Sequence, residues 1–260
     1  MKLILSVAVL LMTASAFGAV ETFGETDTGL EALELESING PITVEQAAGS
    51  RLTVSWRISA DDQVSLERME VLSEENSGTL SVWTEFADGD HTVHGGRVEY
   101  TVGVPEGWDG ELHLTQVNGP VSCLAGGDYS IYVQCVNGEV ELRDVTGQAE
   151  LEIVNGELEF QGLPRLSDVS VVSASVRGRI SELSENLSVE SVSGNLHLYI
   201  DEELPGTVEV TTMSGDISIA DGLSGFSFES SMVGESASRG QGEPIISVST
   251  VSGRVEIETN

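Results

Sequence analysis

Apolar and polar residues alternate along most of this chain, and the alternation restarts after a series of glycines. The segment from Val136 to Phe160 reads VNGEVELRDVTGQAELEIVNGELEF, in which an apolar residue, Asn-Gly and two further apolar residues at alternate positions occur twice. Such alternation is typical of β-strands with one buried and one solvated face, and Asn-Gly is typical of tight turns because both residues tolerate positive φ angles. The pattern predicts a repeating unit of strand, corner and strand.

The glycine of this unit recurs at a nearly constant interval, from 16 to 22 residues with a mean near 19. The equivalent glycines are Gly119, Gly138, Gly156, Gly178, Gly194, Gly215, Gly234 and Gly253. A repeat of this period predicts a solenoid, and the alternation predicts coils built of β-strands. We therefore expect an all-β protein, a β-solenoid of the single-stranded β-helix type with coils of about 19 residues, stacked roughly 4.8 Å apart.

Rows of equivalent side chains follow from this alignment of the repeats. The residues two and four places after the glycine are mostly apolar and are predicted to form buried rows. We expect the same of the residues two places before it, which are Val117, Val136, Val154, Val176, Val192, Met213, Met232 and Val251. The residue directly before the glycine is Asn in early copies and Ser in most later ones, which predicts a hydrogen-bonded ladder along the corner. The copy at Gly234 lacks the apolar residues, so a loop bulging from the stack is expected there.

The regular repeat occupies residues 116–260, and a less regular section precedes it. Residues 20–115 open with a good copy of the repeat, Ile38 to Val44, but the glycine spacing then lapses. No linker of biased composition separates the sections, so we expect 20–115 to form irregular coils or hairpins of the same domain that protect its open edge. The last copy is predicted to leave an exposed strand edge, through which the chain could form a homo-oligomer.

Residues 1–19 have the features of a secretory signal peptide. Lys2 is followed by an apolar run over residues 3–12, too short to span a bilayer, and then by small residues. Cleavage would follow Ala16 or Gly18. No second apolar run is long enough for a transmembrane helix. We therefore expect an exported protein, periplasmic, on the cell surface or secreted, without membrane insertion.

The chain is strongly acidic, with a formal net charge of −32 and Lys2 as its only lysine. Nucleic acids and anionic lipid surfaces are bound by clustered Lys and Arg, so both are excluded as direct partners. The acidity leaves two interpretations open. It could provide a solvated surface that keeps the protein soluble, or a surface that binds divalent cations or a cationic partner.

The two cysteines are Cys123 and Cys135. Export permits a disulfide, and the alternation predicts that both side chains point inward on neighbouring strands, which favours a bridge over two buried thiols. There is no Cys-x-x-Cys motif, so nothing suggests a redox enzyme.

A polar loop at residues 88–94, with the sequence DGDHTVH, is the first candidate metal site. Its candidate ligands are Asp88, Asp90, His91 and His94. Imidazole and carboxylate groups at this spacing suit zinc or nickel. The competing interpretation is an ordinary solvated loop.

A carboxylate grid is the second candidate. Glu139 and Glu141 of one copy are expected beside Glu157 and Glu159 of the next, all facing outward. Calcium could bridge such a grid, and Arg179 is predicted to lie beside Glu157 and neutralise part of its charge. The competing interpretation is a solvated acidic face that discourages aggregation.

The order of the motifs resembles a known family. An INGPITV copy at residues 38–44, a strand ending in Val104-Pro105, the LHLTQVNG copy at residues 112–119 and serial VNG and VSG copies to the C-terminus resemble the putative adhesin family of bacterial envelope proteins. The resemblance covers residues 30–258. The resemblance implies a β-solenoid fold and export. It implies no catalytic residues, because that family is described as adhesin-like and its function is not known beyond that.

Groups suited to catalysis are sparse. Among the four histidines, His113 and His197 are predicted on outward strand faces, and no G-x-S-x-G motif is present. We therefore expect no enzyme and no required cofactor, but a binding or structural module of the cell envelope whose partner is a protein or a glycan. Two alternatives are a carbohydrate-active enzyme on a β-helix scaffold, which needs paired carboxylates in a groove, and a calcium-stabilised surface protein.

Overall fold

The computed structural model describes the chain except residues 1–9, 13–19, 87–94, 221–222, 224, 232–233 and 260. Within the described part, every regular element except one is a β-strand, so the all-β prediction is confirmed. The exception is helix α1, Gln63–Leu66, whose first turn is capped by the Asp62 carboxylate accepting from the Ser65 amide at 2.7 Å. No helix in the described part is long and apolar enough to cross a membrane.

The described part of the chain contains 21 strands, a first set of eleven up to residue 143 and a second set of ten after it. The first set is β1 (Leu10–Met12), β2 (Val20–Thr28), β3 (Ala32–Asn39), β4 (Ile42–Ala47), β5 (Leu52–Ala60), β6 (Met69–Asn76), β7 (Thr79–Phe86), β8 (Arg97–Pro105), β9 (Glu111–Asn118), β10 (Val121–Cys123) and β11 (Ser130–Arg143). The second is β12 (Ala149–Gln161), β13 (Leu166–Ile180), β14 (Leu187–Ser193), β15 (Leu196–Ile200), β16 (Thr207–Ser214), β17 (Ile217–Ile219), β18 (Ser227–Ser231), β19 (Gly234–Gly240), β20 (Ile245–Ser252) and β21 (Val255–Thr259).

Each regular coil supplies two strand segments that meet at the predicted corner. In β11, β12 and β13 the strand runs through the corner without a break. β11 and β12 pair in parallel, with Asn137 beside Asn155 and Gly138 beside Gly156. The segments before the corner form one sheet, the pre-corner sheet, and the segments after it form another, the post-corner sheet.

Both sheets are parallel in the middle, and the pre-corner sheet is antiparallel at both ends, whereas the post-corner sheet is antiparallel only at the end formed by β1, β2, β5 and β8. The order of the pre-corner sheet is β6, β7, β3, β9, β11, β12, β13, β14, β20, β16, β19, β18. The order of the post-corner sheet is β1, β2, β5, β8, β4, β10, β11, β12, β13, β15, β21, β17. The chain therefore has a β-solenoid-like architecture whose central coils continue into antiparallel strands of both sheets at the N-terminal end and of the pre-corner sheet alone at the C-terminal end.

The apolar core consists of inward side chains from both sheets and forms a single cluster. Val140, Leu142 and Leu158, after the corner, and Val133 and Leu151, before it, are all 0% exposed. Full burial of a side chain of this size contributes roughly 1.5–3 kcal/mol. Because that burial comes from adjacent coils, each coil depends on its neighbours for stability.

At the C-terminal end, the order of the coils in space differs from their order in the chain. β20 pairs in parallel with β14 on one side and β16 on the other, and β21 lies between β15 and β17 in the same way. The last copy of the repeat is therefore inside the stack, and the prediction that it leaves an exposed edge is wrong. Antiparallel strands β19 and β18 continue the pre-corner sheet instead, so the copy at Gly234 is neither a parallel coil nor a bulging loop.

Ala174 occupies the corner position that the alignment gave to Gly178. It pairs beside Gly156, whereas Gly178 lies in an inward row beside Phe160. A β-carbon on Gly178 would lie 2.2 Å from Cζ of Phe160, so the glycine leaves room for that ring. The long and short glycine intervals around Gly178, 22 and 16 residues, come from this misassignment.

The structure also corrects the predicted disulfide. Cys123 and Cys135 are both buried and free. Cys123 follows one corner and lies beside Leu142, whereas Cys135 precedes the next corner and lies beside Gln116 and Ile153. The two residues belong to different rows of the core, one in each sheet, so pointing inward does not make them neighbours.

Candidate functional site

The predicted metal ligands Asp88, Asp90, His91 and His94 lie outside the described residues. In the described part of the chain, no group of three or more His, Cys, Asp or Glu side chains is arranged to hold a metal ion. The outward side chains of the regular coils lie on the outer faces of the two sheets and at the corner between them.

The predicted carboxylate grid lies just after the corner, with the expected register. Glu139 pairs beside Glu157, and Glu141 pairs beside Glu159. Arg143, which the sequence reasoning missed, contacts Glu141 Oε1 through Nε at 2.6 Å and Glu159 Oε1 through Nη2 at 3.3 Å. A guanidinium between two carboxylates supplies the positive charge that a bridging calcium ion would otherwise supply.

The prediction that Arg179 lies beside Glu157 is wrong, because the corner of that coil falls four residues earlier than the alignment assumed. Arg179 lies beside Gln161, and Arg177 takes the place beside Glu159. In the coil that follows the grid, the nearest arginine in register is therefore Arg177, in addition to Arg143 within the grid.

The same outer face continues into a cluster of mixed charge. The Arg179 guanidinium lies 4.7 Å from the ring centroid of Tyr199, and the His197 ring stacks on Tyr199 with centroids 4.5 Å apart. His197 Nδ1 lies 3.8 Å from Glu256, and Nε2 lies 3.3 Å from Glu258. Contacts of this kind along and between strands stabilise a sheet, so these side chains have a structural role.

An acidic cluster that the sequence reasoning did not single out lies on the outer face of the pre-corner sheet. Glu150 pairs beside Asp168, and Glu152 and Glu190 lie on either side of Ser170. Burial raises the pKa of the Asp168 carboxyl, and the neighbouring carboxylates of Glu190, Glu150 and Glu152 raise it further. Like charges on adjacent strands therefore disfavour the ionised form of Asp168.

A polar and aromatic group borders this cluster. The Gln134 amide donates to the Tyr132 hydroxyl at 2.6 Å and to Glu152 Oε2 at 2.8 Å. The His113 ring, in the adjacent coil, lies 5.8 Å from the Tyr132 ring at 51°. Burial and the nearby Glu152 carboxylate raise the pKa of Tyr132, so its hydroxyl remains a hydrogen-bond donor.

A row of exposed aliphatic side chains runs along the corner, two places before the corner residue, where the alignment predicted buried residues. In spatial order its members are Ile38, Val117, Val136, Val154, Val172, Val192, Val251 and Met213. The last six are 38%, 39%, 46%, 51%, 46% and 62% exposed, in that order. Ile38 and Val117 are half-buried. We call these eight residues the aliphatic ladder.

The prediction of a buried row failed because the alternation changes phase at the corner. Cys135 is 1% exposed and faces the core, and Val136 directly after it faces solvent. Inward residues then resume at Val140, so the residues between them form the outer surface of the corner. A contiguous exposed apolar row of this kind is uncommon on a soluble protein and is typical of an interaction surface.

Carboxylates border the central part of the aliphatic ladder on both sides. Glu139 and Glu157 lie on the post-corner side, and Glu152 and Glu190 lie on the pre-corner side, each two residues before a ladder valine. All four side chains are exposed. In the central coils the ladder is therefore an apolar strip with two carboxylates on each side.

The predicted asparagine ladder lies at the corner itself and is confirmed. Asn155 Nδ2 donates to Asn137 Oδ1 at 3.1 Å, Asn137 donates to Asn118 at 3.1 Å, and Asn118 donates to Asn39 at 3.3 Å. Each amide is used to join successive coils, so the structural role of this row is accounted for.

The two buried thiols are poor nucleophiles. Burial raises the pKa of Cys123 to about 11, although the Tyr129 hydroxyl, 3.0 Å from Sγ, acts to lower it. Burial likewise raises the pKa of Cys135 to about 11. Both remain thiols near neutral pH, whereas a reactive cysteine requires the thiolate.

The parallel coils, the corner and the outward ladders define a β-solenoid-like protein. The chain belongs to the Toastrack DUF4097 family, whose family model matches residues 128–258. No curated protein matches the chain.

Several solved structures also show a likeness. A putative cell adhesion protein from Clostridium sporogenes is 11% identical, with a TM-score of 0.40, over 92% of this chain and 100% of its own. A putative adhesin from Bacteroides fragilis is 12% identical, with a TM-score of 0.39, over 90% of this chain and 96% of its own. A putative lipid binding protein from Parabacteroides distasonis is 11% identical, with a TM-score of 0.34, over 90% of this chain and 96% of its own.

Proposed function

We propose that this protein is an exported, non-enzymatic, adhesin-like binding or structural module of the cell envelope. The observation that carries the proposal is the recurrence of equivalent outward side chains from coil to coil, which makes an extended surface rather than a pocket. Repeat proteins use such surfaces to bind macromolecules. The partner is a protein or a glycan.

A binding role without catalysis is supported by the state of the titratable groups. Arg143 and His197 lie against carboxylates of their own or adjacent strands, and both thiols are protonated near neutral pH. Catalysis requires a nucleophile or base that converges with other groups on one reacting atom. Export is supported by the charge and apolar pattern of residues 1–19.

The test is to express the full chain with a C-terminal tag in cells that naturally make it, fractionate those cells and sequence the N-terminus of the tagged protein. We expect a protein processed after Ala16 or Gly18, which removes the residues of β1, and located outside the cytoplasm. Cross-linking in intact cells should then identify a reproducible envelope partner, and a glycan array would distinguish a glycan from a protein. Unprocessed protein in the cytoplasm, or turnover on a panel of polysaccharides, would contradict the proposal.

A further inference from the structure

We propose that the aliphatic ladder, with the carboxylates that border it, is the docking site for a basic amphipathic helix of a partner protein. This inference rests on the binding function proposed above and specifies the surface used and the chemistry of the partner.

The apolar character of the six most exposed ladder members is not required by the fold, whereas Ile38 packs against the core. Other outward positions on the same strands hold Gln134, Glu152, Ser170 and Glu190, so the coils accept polar residues on their outer faces. Threonine has the same β-branched shape as valine and the same preference for strands, and would suit an exposed position equally well. Instead, aliphatic residues occupy all eight positions of the ladder, six of them 38% to 62% exposed.

The charge around the ladder selects the kind of partner. Within the described residues, Glu139, Glu157 and Glu190 form no ion pair with an arginine, and Glu152 accepts a hydrogen bond from a neutral amide. A second copy of this chain, with its net charge of −32, would place carboxylates against carboxylates. Anionic lipid would be repelled in the same way. An apolar surface that brings positive charge on both sides would complement the carboxylates beside the central part of the ladder.

The backbone at the corner argues for a helix over an added strand. Corner amides and carbonyls are already paired between coils, as in the 2.9 Å bond from the Gly119 amide to the Asn137 carbonyl. An added strand needs free backbone groups at a sheet edge. An amphipathic helix binds through side chains alone, so paired backbone is no obstacle to it.

The dimensions of the ladder also suit a helix. Coils of a parallel sheet stack about 4.8 Å apart, so eight members span roughly 34 Å. A helix of about 22 residues has the same length, and its pitch of about 5.4 Å brings an apolar residue near almost every coil. Lysine and arginine have long apolar stems that can lie along the valines while the charged ends reach the carboxylates on either side.

The test measures binding of a designed peptide to the full chain by fluorescence anisotropy. The probe is a helix-forming peptide of about 22 residues with leucines on one face and lysines along both borders of that face. Its controls are the same peptide with glutamate replacing lysine, and a scrambled peptide of equal charge without an apolar face. We expect binding of the lysine peptide only, weakening as salt is raised.

Two sets of variants locate the binding site. Replacing Val136, Val154 and Val172 together by threonine (V136T, V154T and V172T) keeps their shape and should weaken binding by about tenfold or more. The matched control is V64T with L124T, which changes two residues that are 61% and 55% exposed away from the ladder and should leave binding unchanged.

The charge of the site is tested separately from its apolar surface. E139Q with E157Q should weaken binding and reduce its dependence on salt, whereas E70Q with E75Q, on β6 at the far end of the pre-corner sheet, should do neither. These variants keep the proposal testable if the valine variant fails to fold, which circular dichroism and thermal unfolding would show.

The outcomes separate this inference from the proposed function. No binding of the lysine peptide, equal binding of the scrambled peptide, or full binding by the folded valine variant would overturn the docking site. If the variant lacking the ladder valines is exported and still cross-links to the envelope partner of the wild type, the docking site is wrong and the proposed function stands. If the chain binds the lysine peptide at the ladder but stays in the cytoplasm, the docking site stands and the proposed function is wrong.

Discussion

The central coils and the C-terminal end share one repeat but are assembled differently. In the centre, β9, β11, β12 and β13 stack in parallel and in chain order. At the C-terminal end, β20 and β21 enter between coils that precede them in the chain, and β19 pairs antiparallel to β16. The repeat therefore specifies the shape of a coil, and it does not specify the order in which coils stack.

The corner residues explain why the order can change. Any coil with a matching corner and matching inward rows can pair with any other, because the pairing uses backbone groups and generic apolar contacts. Ser193, Ser252 and Ser214 lie side by side in space, as the asparagines do in the early coils. Similar corners have thus been brought together, although the chain does not present them consecutively.

Ending the chain after residue 243 is expected to cause the largest difference in stability between the centre and the C-terminal end. It removes β20 and β21, which join β16 and β17 to β14 and β15. The whole C-terminal end should then unfold, although most of its residues are still present. Hydrogen exchange should show unprotected amides at Val208 and Val210, with the centre still protected.

A chain ended after residue 203 is the matched control for that truncation. It should have the same protease-resistant core and the same midpoint of unfolding as the chain ended after residue 243. A distinctly larger core in the longer chain would show that β16 to β19 pack without the last coil.

Substitution of one corner glycine and one loop glycine should separate the effect of close approach from that of backbone strain. Gly156, in the centre, has φ +134°, and a β-carbon there would lie 1.8 Å from the Gly138 carbonyl oxygen. Gly242, at the C-terminal end, has φ +94° with nothing within 4 Å. We expect Gly156→Ala to lower the free energy of unfolding by about 3 kcal/mol or more and Gly242→Ala by about 1 kcal/mol. Equal losses in chemical denaturation would mean that strain alone makes glycine necessary at the corner.

A smaller loss of stability is expected from substitution of Gly178, which contacts Phe160 in the central coil where the repeat departs from its pattern. Gly178→Ala should destabilise by roughly 1–3 kcal/mol, because the new methyl group meets the Phe160 ring. Phe160→Leu frees that space, so the double variant should lose less stability than the two single losses added together. A double-mutant cycle measures this coupling, and strict additivity would place Gly178 away from the ring.

The strand pattern, the asparagine ladder and the register of the carboxylate grid could be predicted because each depends on period alone. Once Gly138 and Gly156 are known to be equivalent, Glu139 must lie beside Glu157. The misplaced corner at Gly178 shows the limit of this reasoning. The spacing predicts a glycine at every corner, whereas Ala174 fills that position in this coil and Gly178 leaves room for the Phe160 ring inside the core.

The aliphatic ladder could not be predicted from alternation because a corner changes the phase of the alternation. A valine beside Asn-Gly resembles any other strand valine in sequence, and only the path of the backbone puts Val136 outside and Cys135 inside. The contacts of Arg143 could not be predicted either, because its side chain reaches carboxylates of two coils at once. The order of the last coils depends on which equivalent surfaces meet, and the local sequence does not encode that choice.

The smallest expected change in stability comes from the acidic cluster of the central coils, which consists of Glu150, Glu152, Asp168 and Glu190. The pKa of Asp168 is raised in the folded protein by burial and by Glu190, Glu150 and Glu152. Because a raised carboxyl pKa means that ionisation is less favourable in the folded state, Asp168 destabilises the fold at pH values above its folded pKa. This penalty disappears as the pH falls below the unfolded value of 3.8. Asp168→Asn should therefore raise the unfolding temperature at pH 7 and leave it nearly unchanged near pH 3.

Glu209→Gln is the matched substitution at the C-terminal end. Glu209 lies in the same outward row as Asp168, but its neighbours on the paired strands are Ser247 and Ser238. With no carboxylate on either paired strand beside it, removal of its charge should raise the unfolding temperature at pH 7 by less than Asp168→Asn does. Thermal unfolding of both variants at the two pH values makes the comparison. An equal rise for both would assign the effect to the net charge of the chain, and a larger rise for Asp168→Asn would assign it to the carboxylates that the central coils bring together.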